Sequence, residues 1–567
     1  MKILLTTLHS RYSHASLALP SIAASIGNIA GVEIAIREYT VNERPERLLE
    51  QLAAEDADVF AFSCHIWNIE LTLRLAAELK LLQPSRFIIL GGPEVSFGCH
   101  ALLTENPHID LIVRGEGEVT MAELTRTLVA SDNGALSDDR LLAIDGIIFR
   151  SGDEIISTPE RTPARLDELP SPFAAGLVDC SKPLVYLETS RGCPFSCAFC
   201  LSSTDTTVRT FPDSTVESDL LQLMQQGVAT IKFVDRTFNF DAERANRIWR
   251  FILAHNRSSR FHFEIAADLL MPANLELLAQ VPPDTFRFEI GVQSTAADTL
   301  ASVGRRSDLD RLFANVRRLK EETAVTLHLD LVAGLPGEDF AGFTASLERL
   351  LAAGPHHIQV EPLKMLKGTA LRSKATELGY RYSPFPPYRI LQSRWLTFEE
   401  LGRIENCSKA LDEIYNSGRF SATVALLSEA GLATGLFTGL HQSLRPGGGR
   451  MAALFEQLAG ELTGISQGPA TELLDALSFD YCMAGYPGSM LPSFMGSGIA
   501  ASASPYTLQE IGARLCLPKG GRFRVFTAQF LRDYTQKGFP AAAVAITFVY
   551  FRDGQGERVL PLVIPAG

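Results

Sequence analysis

From Lys2 to Glu361, short apolar runs alternate with helix-length segments, and this rhythm leaves few folds open. The first runs are Lys2–Thr7, Glu33–Tyr39, Asp58–Ser63, Arg86–Gly91 and Asp110–Arg114, rich in Ile, Val or Phe. Helical periodicity fills the gaps, for example over Ser16–Ile29 and Leu71–Leu82. Five β-α units in succession predict an α/β domain with a parallel, doubly wound sheet. Ligands of such sheets sit outside the carboxyl ends of the strands. Those ends read TTLHSRY, FSCHIWN, GGPEV and RGEGE.

A linker with Pro163, Pro170 and Pro172 follows. A second series of runs then comprises Leu184–Thr189, Ala229–Asp235, Phe261–Ala266, Phe286–Val292, Thr326–Val332 and His357–Glu361. Six units are too few for a complete eight-fold barrel, so an open, partial (β/α)6 barrel is expected. From about Leu371 the rhythm changes: prolines cluster in YSPFPPY, a helical pattern covers Phe398–Asn416, and the end is strand-rich. Phe523–Phe530, Ala543–Phe551 and Val559–Ile564 are its strand candidates. The expected division is therefore 1–150 for the doubly wound domain, 151–182 for the linker, 183–370 for the barrel and 371–567 for a mixed α+β C-terminal domain of unknown role. A chain of 567 residues is too long for a single core in any case.

Bulk properties narrow the classes further. A net charge of -13 argues against a general nucleic-acid surface, which needs clustered Lys and Arg. The apolar start stops at His9 and resembles neither a signal nor a transit peptide. The stretch Phe539–Phe551 is too short to span a bilayer. No membrane span and a cytoplasmic location are expected. Of nine cysteines only Cys193, Cys197 and Cys200 cluster, which in a reducing compartment points to metal or catalysis.

That trio lies in LETSRGCPFSCAFC, just after the first strand of the second series. Thiolates are the usual ligands of iron–sulfur clusters, and a four-iron cluster ordinarily takes four. Three in one loop leave one iron open, and an open coordination site implies chemistry. The alternative is a closed zinc or iron site completed by Cys180 or His262. In FHFEIAAD, alternation turns Phe261, Phe263 and Ile265 to one face and His262 and Glu264 to the other. If the latter face is the barrel interior, Glu264 lines a reaction chamber.

SRGCPFSCAFC resembles the signature of the radical S-adenosylmethionine (SAM) superfamily, C-x3-C-x-aromatic-C, with Phe199 as the aromatic. The resemblance implies that Cys193, Cys197 and Cys200 hold a [4Fe-4S] cluster whose open iron is chelated by SAM. One electron, from a donor such as flavodoxin or ferredoxin, then cleaves SAM to methionine and a 5′-deoxyadenosyl radical. KFVDRTFN resembles the second-strand motif and puts Asp235 forward as acceptor for the SAM amino group, although the family's usual G-G-E wording is absent. FEIGVQS resembles the fourth-strand segment, which implies Glu289 and Gln293 near the ribose, and DLVAGLPGE resembles the fifth-strand glycine motif, which implies Gly334 at the adenine. Glu264 is the catalytic candidate within the chamber.

A doubly wound sheet ahead of such a barrel resembles the cobalamin-binding subgroup of that superfamily. GGPEVSF and RGEGE match its wording, which implies cofactor contacts at Gly91, Gly92, Glu94, Gly115 and Glu116. Ser16, in SHASLAL, is a candidate for the nucleotide tail. The D-x-H-x-x-G motif of histidine-ligated cobalamin is missing, so the lower face falls to SCHIWN through Ser63, His65 and Trp67. His65 ligates there, or Trp67 covers the ring. The methylthiotransferases offer another reading, with Cys64, Cys99 and Cys180 around a second cluster. A cofactor- or redox-sensing module is the non-enzyme alternative. The leading expectation is a cobalamin-dependent radical SAM enzyme that methylates an unactivated carbon of a small molecule or peptide, with radical rearrangement or ring formation as runner-up.

Overall fold

The computed structural model describes residues 1–12, 14–130, 137–440, 451–465, 470–488, 491–495, 510–511, 523–553 and 556–564. It divides into two compact units: Met1–His328 with Gly334–Gly337 and Leu363–Thr397, and Leu329–Ala333 with Glu338–Pro362 and Phe398–Gly567.

The N-terminal sheet of the first unit has β1 (Lys2–His9), β2 (Glu33–Thr40), β3 (Val59–Ser63), β4 (Phe87–Gly91) and β5 (Leu111–Val113), each within a few residues of its predicted run. Their order is β2-β1-β3-β4-β5, all parallel. The chain reverses direction across the sheet between β1 and β3, so helices cover both faces and a crevice opens at the strand ends there. Alternate residues accordingly feed two cores: Leu4, Phe60, Phe62 and Leu90 on one face, Ile3, Leu5, Val59 and Ile89 on the other.

Two further strands, β6 (Ile147–Ser151) and β7 (Glu154–Ser157), extend this sheet as an antiparallel hairpin beyond β5. The sequence reading ended the sheet at β5 and placed Ser151–Ser157 in the linker. Half of β7 is exposed at the sheet edge, so its residues carry little of the apolar signal that marks a buried parallel strand.

The second sheet of the molecule holds β8 (Leu184–Leu187), β11 (Thr230–Phe233), β12 (Arg260–Ile265), β13 (Phe286–Gln293), β14 (Thr326–Ala333) and β15 (His357–Pro362), in the order β15-β14-β13-β12-β11-β8. The intervening β9 (Ser190–Arg191) and β10 (Arg209–Thr210) form a separate antiparallel pair. Each new strand of the six is added on the same side, and right-handed crossovers then put all the helices on one face. Phe233, Phe261, Phe263, Phe286 and Phe288 are buried, and Trp249 of the helix Ala242–His255 stacks on Phe288 at 5.5 Å. The other face of these strands presents Lys232, His262, Glu264, Glu289 and Gln293, as the alternation in FHFEIAAD predicts.

The second unit carries the helices Phe398–Ala410, Ser421–Glu429, Ala433–Gly439, Met451–Ile465 and Ala470–Ala484, then an antiparallel sheet of Phe523–Arg532, Ala541–Asp553 and Gly556–Ile564. Asp480 is buried and accepts hydrogen bonds from the amides of Ala422 and Thr423 at the start of the helix Ser421–Glu429. Among the described residues no single helix is long and apolar enough to cross a membrane.

Candidate cofactor sites

The cysteine loop is held at both ends. Its start follows β8, and the pairing of β9 with β10 closes it around Cys193, Cys197 and Cys200. Gly192 has φ +88°, and a Cβ there would lie 2.3 Å from the Thr207 carbonyl oxygen, so only glycine fits this turn. Asp235 is fully buried and accepts from the Thr189 amide at 3.0 Å and from the hydroxyls of Thr189 and Ser190, both at 2.5 Å. Arg244 adds contacts to Thr189 Oγ1 and O. Sequence reasoning put Asp235 beside the SAM amino group. The structure encloses its carboxylate among three donors of the loop's own root.

Cys193 and Cys197 are buried and Cys200 is half-buried. The Cys193 thiol lies 3.5 Å from Thr237 Oγ1, and Arg305 Nη1 approaches Cys197 Sγ to 3.7 Å. Burial pushes the Cys197 thiol up, and Arg305 works against it. Between them Ala198 donates to the Val303 carbonyl and accepts from the Leu371 amide, while Phe199 is half-buried. Among the described residues no three His, Cys, Asp or Glu side chains gather for a single metal ion. His262, the candidate fourth ligand of a closed site, is engaged with Glu289 at 2.8 Å.

Along the polar face of β11–β13, Glu289 also takes Lys232 Nζ at 3.1 Å. Burial opposes its charge, yet the His262 hydrogen bond and the Lys232 ammonium hold Glu289 well below the usual carboxylate range. Glu264 pairs in register with Glu289 and lies 4.0 Å from both Lys232 and Arg236. At the end of β13, Gln293 adopts φ +70°, and its buried Oε1 has no hydrogen-bond partner among the described residues. Arg305 donates to the Gly291 carbonyl beside it. A buried acceptor left open beside the cysteine loop fits a polar ligand that donates there. Gly334 has φ +93°, but its open side meets the Ile390 side chain, and its carbonyl accepts from Tyr380 at 2.8 Å.

A cavity of about 500 Å³ lies where the ends of the N-terminal strands face the cysteine loop. Ser63, His65, Gly91, Gly92, Gly115 and Glu116 line it from one side. Glu188, Arg191, Leu201, Ser202, Thr204 and Arg236 line it from the other. Gly92, at φ +101°, passes so close to Cys64 that a Cβ would sit 2.6 Å from its carbonyl oxygen. Burial, then the neighbouring His9, lowers the His65 pKa to about 4, so it presents a neutral imidazole at pH 7.

Three expected contacts are not in that lining. Ser16 Oγ accepts from the Leu19 amide and its own amide donates to Glu38. Trp67 stacks on His65 at 4.4 Å, half-exposed, and donates to the Leu8 carbonyl. Glu94 is buried with Lys367 at 2.9 Å and the Tyr388 hydroxyl. Ser13, the first residue of SHASLAL, lies outside the described residues. Sequence reasoning also missed Arg191, Arg209, Arg305, Lys367 and Tyr388. Most of their partners lie on distant segments, as Glu116 and Glu118 do for Arg191 and Glu94 does for Lys367 and Tyr388.

Residues 3–125 match the model of the B12 binding domain and residues 187–350 that of the radical SAM superfamily. Residues 376–497 match a family of unknown function, DUF4080. The chain is 29% identical over 369 residues to the cobalamin-dependent radical SAM methyltransferase TokK of Streptomyces tokunonensis, covering 58% of this chain and 50% of that protein. It is 27% identical over 412 residues to the 2-(S-pantetheinyl)-carbapenam-3-carboxylate methyltransferase of Streptantibioticus cattleyicolor, covering 66% and 56%. The chain thus spans about half the length of these curated relatives. In fold it is similar to the cobalamin-dependent SAM radical enzyme OxsB, with a TM-score of 0.59 at 15% identity over 85% of this chain and 78% of that one. The chain carries a B12 binding domain followed by a radical SAM superfamily domain and a DUF4080 segment, and its relatives include cobalamin-dependent radical SAM methyltransferases.

Proposed function

We propose that this protein is a cobalamin-dependent radical SAM enzyme that methylates an unactivated carbon of a small-molecule or peptide substrate. The observation that carries the reading is the cavity with the glycine loops of the B12 binding domain on one wall and the cysteine loop on the other. A substrate at that junction is within reach of both cofactors. When bound, a [4Fe-4S] cluster with SAM supplies a hydrogen-abstracting radical, and cobalamin supplies a methyl group.

In this reading the chain's own residues do the holding. Cys193, Cys197 and Cys200 ligate the cluster, Phe199 packs beside it, and Gln293 Oε1 accepts from SAM. Lys232 and His262 keep Glu289 ionised, so it offers a fixed negative charge on the polar barrel face. Glu264 shares that face and is the candidate for contact with the reacting substrate. Gly91, Gly92 and Gly115 let the corrin ring approach the backbone, and His65, neutral and stacked on Trp67, contacts its lower face. Functionally we assign 1–150 to cobalamin and 183–370 to SAM and cluster. A cytoplasmic location and a flavodoxin- or ferredoxin-like electron donor complete the proposal.

Anaerobic purification followed by iron, sulfide and corrinoid analysis tests it. One cluster and one corrinoid per chain are expected; a protein that takes up neither after reconstitution is not this enzyme. S-adenosylhomocysteine accompanying product separates methylation from a radical rearrangement, which forms none.

A further inference from the structure

The acidic side chains of the two glycine loops are each paired within the protein. Glu94 of GGPEV is paired with Lys367 and Tyr388, and Gly368 passes so close to Phe97 that a Cβ would meet its ring at 2.6 Å. Glu116 and Glu118 of RGEGE reach the cysteine loop itself. There Arg191, two residues before Cys193, meets three carboxylates: Glu118 at 2.6 Å, Glu116 at 3.2 Å and Glu188 at 3.0 Å. Arg209, on the paired strand β10, takes Glu116 as well and Asp205 at 3.1 Å. The Asp205 carbonyl in turn accepts from the Cys193 amide at 3.0 Å. An unbroken chain of polar contacts therefore runs from the wall expected to hold the corrin to the first cluster ligand.

Two features make this chain stiff. Arg191 and Glu118 are 14% and 10% exposed, so salt screens them little. The guanidinium fork also fixes direction as well as distance, which an ammonium would not. Among the described residues Arg191 and Arg209 are the members of this network with positive charge, and both lie on the hairpin that closes the cysteine loop.

We propose that Arg191 is a positioning residue that couples the two cofactor sites, so that an assembled cysteine loop favours cobalamin binding and bound cobalamin favours the assembled loop. The inference rests on the function proposed above. It adds that the two sites are not independent, and it names the residue that joins them. Coupling of this kind is reciprocal in binding free energy and commonly amounts to fivefold or more in affinity.

The test is hydroxocobalamin titrated into full-length protein, with the cluster reconstituted and after iron removal by chelation, followed by the corrinoid's visible spectrum. Wild type should bind hydroxocobalamin at least about fivefold more tightly with the cluster present. In R191Q the ratio between the two forms should fall towards one. E118Q, whose amide is isosteric with the carboxylate, should do the same and serves in place of R191Q where that variant does not fold. The double variant should lose no more of the ratio than R191Q does. Equal affinities of wild type in the two forms overturn the coupling. A weaker affinity in both forms of R191Q or E118Q with the ratio preserved overturns it too, since that is what a merely structural contact gives. No hydroxocobalamin binding by wild type in either form removes the cobalamin half of the proposed function, and the coupling with it.

Discussion

At Gly92 the backbone runs at φ +101° with the Cys64 carbonyl directly beside it. Alanine there meets both a forbidden conformation and a clash, which together cost about 1–3 kcal/mol or more. Gly92→Ala should therefore lower the melting temperature and reduce corrinoid retained through gel filtration. An unchanged melting curve would show that the loop simply moves aside. Asp235 is a different case, because its wording in the sequence does not show what surrounds it. The wording KFVDRTFN placed an acid at the right strand end, but burial and the three donors around it are tertiary facts. Asp235→Asn swaps one acceptor oxygen for a donor among those three, at a cost of roughly 1–3 kcal/mol. Iron content after reconstitution should fall with it, measured against wild type at equal protein.

The elements were legible where they are buried on both faces. β1, β3 and β4 read as continuous apolar runs, and the Phe-rich strands β12 and β13 announced their alternation. The hairpin β6–β7 escaped because an edge strand needs few apolar residues. Candidate site residues stand out in the sequence where one short segment carries them, as with the three cysteines and the paired glycines Gly91 and Gly92. It was not legible where distant residues meet, as Arg191 does with Glu116 and Glu118, some seventy-five residues away. The same distinction bears on a second cluster. Cys64 is completely buried, its thiol pushed far up by burial and far from a ligand's thiolate state. Cys64→Ala should leave iron and sulfide unchanged, whereas Cys197→Ala should strip the cluster absorbance. Loss of iron in both variants would favour the two-cluster arrangement instead.

Over the whole molecule, stability should depend on pH through the second unit. Burial raises Asp480 to about 7 and Asp475 to about 6, against the hydrogen bonds each receives. Both folded values lie above the unfolded one near 3.8, so the folded state keeps protons that the unfolded state releases. Their contribution is full below pH 4 and is lost as pH rises through 6 and 7. Thermal melts between pH 5 and pH 8 should show the second unit weakening with pH, and Asp480→Asn should flatten that slope. A wild-type slope retained in Asp480→Asn would assign it to other groups.

The central claim is that two cofactor sites share one cavity for radical chemistry on SAM. Its most direct test is release of 5′-deoxyadenosine from anaerobically reconstituted protein given SAM and a strong reductant. Wild type should release it and Cys197→Ala should not. No release by wild type with its cluster fully reconstituted would contradict it.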